Sequence, residues 1–297
     1  MNSITVITSC KNRENFLKDN IEQVSKINLL KEHLIIDFDS INKIKKENYK
    51  YDKLKILNVI NEPKWSISRS YNIGIYFSTT EYTMKVDADV VIDSIQFNKI
   101  NLEKYDILYL IENERDRGTF IAKTSILRKV NGFNEFIKSR FDDNDLLKRL
   151  QQEGFKVGEQ KGLIKEKTEH PNEIRYSSND NYFKSKSNEK FSYGIVKAHN
   201  DVGAYISSLD LWNSNKKLAY EKLDDNLIKI NHFDYYEKLG SLSKFKIKYI
   251  FINTFFKIFY SDKNNLYFSI LKRFIPIVML VLPSKINNNI IGVDVGS

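Results

Sequence analysis

The chain has 297 residues, of which 41% are hydrophobic and 29% are charged, a balance typical of a folded globular protein and not of a disordered one. Its formal net charge of +9 favours a polyanionic partner, such as nucleotide phosphates, nucleic acid or an anionic membrane surface, without choosing among them. Cys10 is the only cysteine, which excludes an internal disulfide and is consistent with a reducing compartment.

Short apolar strands alternate with amphipathic helices in the amino-terminal part of the chain. Six elements are predicted there: strands at residues 3–8, 33–36, 54–60 and 81–86, and helices at residues 15–27 and 66–78. This alternation predicts an α/β fold in which helices flank a mostly parallel sheet. Ligands of such sheets bind at the carboxyl ends of the strands.

Polar residues are concentrated at these predicted strand ends. They are Asn12 and Arg13 after the first strand, Asp37 and Asp39 after the second, and Asp87 and Asp89 after the fourth. Because the carboxyl ends of parallel strands meet at one edge of a sheet, we expect these residues to form a single site there.

Two carboxylates interrupt the apolar stretch 85–92, which reads Lys-Val-Asp-Ala-Asp-Val-Val-Ile. Buried acids without compensation are costly, and side chains two residues apart on an extended strand share a face. Asp87 and Asp89 are therefore predicted to converge on one hard divalent cation, such as Mg²⁺ or Mn²⁺. A strand end that opens into a solvated turn is the alternative, because so short a motif often occurs by chance.

The next part of the chain also alternates between strand and helix. A strand is predicted at residues 107–111, and a short helix at 125–130 ends at the Asn-Gly turn 131–132. A second helix is predicted at 146–153, preceded by the acids Asp142, Asp143 and Asp145. These acids can cap the helix and complement its dipole, which is a purely structural role.

The carboxyl-terminal part differs in character from the rest of the chain. Residues 177–190 are polar and aperiodic, as in a linker or surface loop, and the sequence beyond them is interpreted as mainly helical. We therefore expect a catalytic domain over residues 1–180 and a mainly α-helical extension over residues 181–297.

Residues 243–260 mix lysines with aromatic side chains, which suits contact with an anionic membrane surface. A helix that packs on the catalytic domain, with its lysines in water, is the alternative. The apolar stretch 275–282 is shorter than the roughly 20 residues that a spanning helix needs. No signal peptide is evident, so we expect a cytoplasmic protein that contacts the inner face of the membrane.

Seven stretches together resemble a known family across about residues 3–170. They are residues 4–13, 36–40, 69–74, 87–89, 118–122, 131–135 and 142–146. In order and spacing they resemble the nucleotide-sugar glycosyltransferases of the GT-A fold, of the family-2 type with a galactosyltransferase-like carboxyl-terminal motif. The resemblance implies a Rossmann-like sheet and an inverting, metal-dependent transfer of a hexosyl or N-acetylhexosaminyl group. It also implies a UDP-sugar donor and a glycan or lipid-linked acceptor in surface polysaccharide synthesis.

The same resemblance implies roles for individual residues. The donor would be bound by Thr8, Ser9, Asn12, Arg13, Asp37, Asp39, Arg69, Asn72 and Asp87. Asp89 would be the direct ligand of Mn²⁺ or Mg²⁺, beside Asp87. His170 is either the third ligand or a surface histidine, and His199 is the reserve candidate. Asp143 would be the catalytic base, since it stands where the family has the second acid of a Glu-Asp pair. Asp142 replaces the glutamate of that pair, which leaves its role open.

The chemistry of sugar transfer needs two acidic sites of this kind. A carboxylate must take the proton of the acceptor hydroxyl, which is a poor nucleophile at neutral pH. A divalent cation must neutralise the charge that develops on the departing nucleotide diphosphate. The pair Asp87 and Asp89 and the pair Asp142 and Asp143 fit these two tasks, and a single displacement would invert the anomeric carbon.

Two other classes of protein remain as alternatives. A nucleotidyltransferase also uses acids at strand ends, but it usually has a glycine-rich basic loop, and residues 8–13 contain no glycine. A glycan-binding or scaffolding relative could keep the fold without activity. Nucleic-acid binding is not expected, because the basic stretches match no known module.

Overall fold

The computed structural model describes residues 3–62, 65–112, 118–135, 137, 142–168, 201, 219–231 and 250. The chain divides into two compact units, and the first comprises Met1–Phe133, Asp142–Asn172 and Ala219–Asn231. All the strands and α-helices given below belong to this first unit.

Eleven strands are described, and they are numbered in chain order. They are β1 (Ile4–Cys10), β2 (Leu30–Phe38), β3 (Leu54–Ile60), β4 (Tyr82–Lys85), β5 (Val90–Ile92), β6 (Ile107–Ile111), β7 (Thr119–Lys123), β8 (Val157–Lys161), β9 (Ile164–Lys167), β10 (Ala219–Lys222) and β11 (Leu227–Asn231). The described α-helices are α1 (Leu17–Ser25), α2 (Ile67–Phe77), α3 (Ser94–Phe97), α4 (Thr124–Lys129) and α5 (Asp142–Gln152). Short 3-10 turns lie at Glu14–Phe16, Lys46–Asn48 and Leu102–Lys104.

Nine of these strands form one sheet, in the order β10-β11-β3-β2-β1-β4-β7-β6-β8. Neighbouring strands from β11 to β4 are parallel, as are β6 and β8, whereas β7 and β10 run antiparallel to their neighbours. Helices α1 and α2 pack against these strands, and α4 packs against β7. The predicted α/β architecture, with a mostly parallel sheet flanked by helices, is confirmed.

The central strand β1 explains why this sheet forms where the sequence predicts it. Every residue of Ile4–Cys10 is buried, so both faces of the strand are covered, as in the middle of an α/β sheet. Helix α2 lies so close to β1 that a Cβ atom on Gly74 would be 2.5 Å from Cγ2 of Ile7. Gly74 therefore allows the close packing of helix on strand that brings the start of α2 to the carboxyl end of β1.

Two arginines hold the helices to the turns beside them. The Arg128 guanidinium on α4 donates to the carbonyls of Ile75, Tyr76 and Ser78, the otherwise unsatisfied carboxyl end of α2. Arg149 on α5 pairs with Asp145 at 2.8 Å and donates to the carbonyl of Gly132 at 2.7 Å. Asp145, the last of the three acids at the start of α5, thus has a structural role.

Helix α5 begins at Asp142, earlier than the predicted start at residue 146. The acids therefore form the first helical turn and do not merely precede it. Negative side chains are favourable at this end of a helix, because the unpaired amide groups there carry partial positive charge. The predicted Asn-Gly turn is confirmed, with φ angles of 57° at Asn131 and 64° at Gly132.

The region predicted to be mainly helical contributes two strands to the sheet. Strand β11 continues the sheet beyond β3, with Leu227 opposite Asn58, and β10 forms the edge. The alternation of buried Ile228 and Ile230 with Lys229 is a period-two pattern, which is the signal of a strand. The prediction of helix is wrong for residues 219–231, and these residues belong to the same unit as the rest of the nine-stranded sheet.

The rest of the predicted extension lies almost wholly outside the described residues, so the boundary at residue 180 and the helical character beyond it stay predictions. Within the described part of the chain, none of the helices has the length and apolar character needed to cross a membrane.

Candidate active site

The loops after β1 and β2 are bound to each other at the carboxyl edge of the sheet. The backbone amide of Asn12 donates to the Ser40 hydroxyl at 2.9 Å, and the amide of Ile41 donates to the Asn12 side chain at 2.8 Å. The buried Asp37 carboxylate accepts from the amides of Ser40 and Ile44, at 3.1 Å and 3.0 Å. Asn12 and Asp37 therefore lie at the predicted edge, where they shape the loops that surround it.

Asp39 connects this edge to the loop that follows β3. Its carboxylate accepts from the amide of Glu62 at 3.0 Å, and its carbonyl accepts from the Lys11 ammonium at 3.1 Å. Lys11 also donates to the carbonyl of Glu62 at 3.0 Å, and Arg69 lies 3.5 Å from the Glu62 carboxylate. Burial lowers the pKa of Lys11, although the nearby Asp39 carboxylate opposes that effect. The structure thus brings Asp39 and Arg69 together, with two residues that sequence analysis missed, Lys11 and Glu62.

Thr8 lies in the interior and does not face the edge of the sheet. Its hydroxyl is 2.9 Å from Nε2 of His33 and 3.4 Å from the side-chain oxygen of Asn20. The Asn20 amide in turn donates to the carbonyls of Asp87 and Val90, at 3.1 Å and 2.9 Å. Through Asn20, Thr8 therefore helps to support the backbone of residues 87–90, which include the predicted metal ligands Asp87 and Asp89.

Other predicted donor residues have distinct surroundings. The Asn72 amide donates to the carbonyl of Phe133 at 2.8 Å and accepts from its backbone N–H at 2.7 Å, which ties α2 to the turn after α4. Ser9 is buried at the carboxyl end of β1. Arg13 is half-buried, and its carbonyl accepts from the amide of Phe16 in the turn before α1.

The acidic motif is a turn, which differs from the extended geometry that the sequence predicted. Asp87 follows β4, and its carbonyl accepts from the amide of Val90, so that Ala88 and Asp89 occupy the turn before β5. The Asn20 amide stabilises this turn by donating to the carbonyls of Asp87 and Val90, its first and last residues. Asp89 is buried, and its carbonyl accepts from Thr168 at the end of β9. The rule that residues two apart on an extended strand share a face therefore does not apply to Asp87 and Asp89.

A buried lysine connects the acidic motif to the acids of α5. Lys85 is only 2% exposed, and its ammonium donates to Asp87 at 3.1 Å and to the carbonyl of Gly118. The same ammonium lies 3.7 Å from the Asp143 carboxylate and 4.6 Å from the centre of the Tyr71 ring. Neither Lys85 nor Tyr71 was predicted from the sequence as a site residue. The available signal was a lysine at the end of the otherwise uncharged strand β4.

The charges in this cluster shift one another's pKa values. Burial lowers the pKa of Lys85, but the carboxylates of Asp143, Asp87 and Asp142 outweigh it and raise that pKa above its ordinary value. Burial raises the pKa of Asp87, but Lys85 and a 2.5 Å hydrogen bond from the Tyr71 hydroxyl outweigh it and lower that pKa. Asp87 is therefore held as a carboxylate, and Lys85 as an ammonium.

The two acids at the start of α5 differ in their access to solvent. Asp142 is buried, and among the described residues its Oδ2 atom has no hydrogen-bond partner. Burial raises the pKa of Asp142, even though Lys85 opposes the shift. The side chain of Asp143 is 26% exposed and can meet a molecule from solution. Of the two, only Asp143 has a side chain that is partly open to solvent.

The predicted metal site at Asp87 and Asp89 is not complete among the described residues. No group of three His, Cys, Asp or Glu side chains that could hold a metal occurs among them, and His170 and His199 lie outside them. Magnesium is usually held by one or two carboxylates together with substrate phosphates, so the oxygen ligands of Asp87 and Asp89 suit that mode of binding.

Comparison with known proteins gives only remote similarities. No protein-family model and no curated protein sequence matches the chain. By structure, the chain is similar to TarS of S. aureus, with a TM-score of 0.47 and 14% identity over 78% of this chain and 97% of that chain. It is also similar to a mannosyltransferase of Pyrobaculum calidifontis in complex with GDP-Man and Mn²⁺, with a TM-score of 0.48 and 11% identity over 98% of this chain and 84% of that chain.

A third similar structure is the catalytic domain of Drosophila β1,4-galactosyltransferase 7, with a TM-score of 0.46 and 11% identity over 80% of this chain and 97% of that chain. Two of these three proteins are thus named as glycosyltransferases, the family that the sequence resembles. At TM-scores below 0.5, these similarities are too distant to carry a function to this chain.

Proposed function

We propose that this protein is an inverting, metal-dependent glycosyltransferase. It moves a hexosyl or N-acetylhexosaminyl group from a nucleotide-diphosphate donor, a UDP-sugar, to a glycan or lipid-linked acceptor in surface polysaccharide synthesis. The observation that carries the proposal is the meeting of two acidic groups around Lys85, at 3.1 Å from Asp87 and 3.7 Å from Asp143. This arrangement supports a site in which one group faces the donor diphosphate and the other faces the acceptor.

In this proposal each acid has a separate task. Asp143 accepts the proton of the acceptor hydroxyl as that hydroxyl attacks the anomeric carbon. Asp89 and Asp87 hold Mn²⁺ or Mg²⁺, with His170 as a further ligand, and the bound cation supplies charge neutralisation for the departing diphosphate. Asp142 keeps the first turn of α5 in place beside Lys85.

The donor in this proposal lies along the carboxyl ends of β1, β2 and β3. Hydrogen bonds of Asn12, Asp37 and Asp39 already fix the loops there, so little rearrangement is needed to order the edge. The positive side chains of Arg13 and Arg69 are suited to the diphosphate, because guanidinium groups bind phosphate oxygens well. Ser9, Thr8 and Asn72 support this surface from behind.

A thermal-shift screen of nucleotide-sugars with and without Mn²⁺ tests the proposal. We expect one UDP-sugar to raise the melting temperature more with Mn²⁺ than without it, since a ligand at 100 times its Kd stabilises the folded state by about 2.7 kcal/mol. Incubation of that donor with acceptor should release nucleoside diphosphate. Release of pyrophosphate from a nucleoside triphosphate and a sugar 1-phosphate, with no turnover of nucleotide-sugars, would indicate a nucleotidyltransferase instead. The absence of any stabilising nucleotide-sugar would indicate a non-catalytic relative.

We also propose that the protein contacts the inner face of the membrane through residues 243–282, nearly all of which lie outside the described residues. The lysines and aromatic side chains of this stretch support that proposal. The protein should co-sediment with anionic vesicles at low salt and be released at high salt, because salt screens surface charges. Equal partitioning into neutral and anionic vesicles would contradict it.

A further inference from the structure

Lys85 is an unusual residue for its position in the fold. It is the last residue of β4, and its ammonium is buried. The carboxylates of Asp87, Asp142 and Asp143 raise the pKa of this ammonium. A buried ammonium requires partners that compensate for lost water. The carboxylate of Asp87, the carbonyl of Gly118 and the face of the Tyr71 ring provide them.

The contacts of Lys85 have a direct consequence for the binding of cations. The Oδ1 atom of Asp87 already accepts from both the Lys85 ammonium and the Tyr71 hydroxyl. The positive charge of Lys85 therefore offsets part of the negative potential that Asp87 and Asp143 would present to a divalent ion. Without nucleotide, a divalent cation therefore binds to a site whose negative charge is already partly neutralised by Lys85.

We propose that Lys85 is a positioning residue and an internal counter-ion, which holds Asp87 and Asp143 in place and makes capture of the divalent cation depend on the donor diphosphate. The diphosphate adds the negative charge that Lys85 has offset, so metal and donor bind together. This inference rests on the proposed function, in which Asp87 and Asp89 hold the metal. It assigns to Lys85 a role that neither acid can perform.

The test is a titration of Mn²⁺ into wild-type protein and into Lys85→Met, by calorimetry or by the paramagnetic resonance signal of free Mn²⁺, first without nucleotide and then with UDP. Without nucleotide, Lys85→Met should bind Mn²⁺ at least about tenfold more tightly, because loss of a positive charge a few ångströms away strengthens attraction to a cation. UDP should increase the affinity for Mn²⁺ strongly in wild type and less in the variant.

The matched control is Lys123→Met on the adjacent strand β7. It removes the same charge, but its partner is Asp106, at 3.0 Å and away from the acidic cluster, so Mn²⁺ binding should stay at the wild-type level. In turnover assays, Lys85→Met should lower kcat more than it raises the donor KM, since Asp143 loses its positioning contact. A structural role alone would not produce tighter binding of Mn²⁺.

The double variant Lys85→Met/Asp143→Asn keeps the net charge of the group formed by Lys85, Asp87, Asp142 and Asp143. It replaces Lys85→Met in the Mn²⁺ titration if that variant does not fold. It should bind Mn²⁺ alone more tightly than Asp143→Asn does. Equal Mn²⁺ affinity with and without Lys85, in either comparison, would overturn the inference. Failure of wild type to bind any nucleotide-sugar would instead defeat the proposed function, and the Mn²⁺ comparison would still decide the role of Lys85.

Discussion

Asp143→Asn should lower turnover by about 10²–10⁴-fold, the usual contribution of a general base. The physical reason is that an amide cannot accept the proton of the acceptor hydroxyl, although it keeps the shape of the side chain. Asparagine is also compatible with the start of a helix, so α5 should still form. Lys85 keeps its bond to Asp87, so the cluster retains a partner for its buried ammonium. Steady-state kinetics with the donor found in the screen would measure the loss.

The matched control for this prediction is Asp142→Asn, the neighbouring acid on the same helical turn. Asp142 is buried, whereas the side chain of Asp143 is 26% exposed, so the control should cost less turnover or raise the acceptor KM instead. Donor affinity and melting temperature should stay near wild type in Asp143→Asn. A dead Asp142→Asn beside an active Asp143→Asn would identify Asp142 as the base. Activity in both variants would show that the acids only cap the helix.

Asp89→Asn should abolish the dependence of nucleotide binding on divalent cations. A neutral amide oxygen is a much weaker ligand for Mn²⁺ or Mg²⁺ than a carboxylate, and the cation links the protein to the diphosphate. The turn should survive, because the contact from Thr168 is made to the backbone carbonyl of Asp89, which asparagine retains. Calorimetric titration of UDP with and without Mn²⁺ measures the effect, and circular dichroism checks the fold.

A suitable control for the loss of one negative charge is Asp225→Asn, in the turn between β10 and β11, where the side chain is 99% exposed. This variant should bind UDP with the wild-type dependence on Mn²⁺. If Asp89→Asn also keeps that dependence, Asp89 is not a metal ligand, and the acidic turn has a structural role only.

The elements of the fold could largely be predicted from local patterns. Strand β3 and strand β6 have the predicted bounds, and helix α2 differs from its prediction by one residue at each end. These elements have apolar residues at a regular period, and that period depends only on the residues themselves. The strands β10 and β11 were missed because four or five residues of alternating pattern carry little signal beside a long stretch without clear periodicity.

The sequence predicted the surroundings of some residues near the edge of the sheet and not those of others. The cause differs from residue to residue. The order of the elements predicted that Asp39 and Asp87 follow strands of the sheet, and the structure places them there. The roles of the acids as metal ligands and as a base stay predictions. Thr8 was assigned to the donor site from the family resemblance. Strand β1 continues beyond the predicted strand end to Cys10, so the Thr8 side chain lies among buried neighbours. The length of one strand thus changed the surroundings of the residue.

The sequence by itself determined the alternating strands and helices, the carboxyl-edge location of the acids and the turn at Asn131. These features follow from hydrophobic period, turn chemistry and the direction of parallel strands, which are local or nearly local properties. Only the tertiary structure decided that Asp87 and Asp89 lie in a turn held by Asn20, and that Lys85 joins Asp87 to Asp143. The partner of a buried polar side chain is set by which distant elements pack around it, because the unmet need for a hydrogen bond or counter-charge is satisfied across the fold and not along the chain.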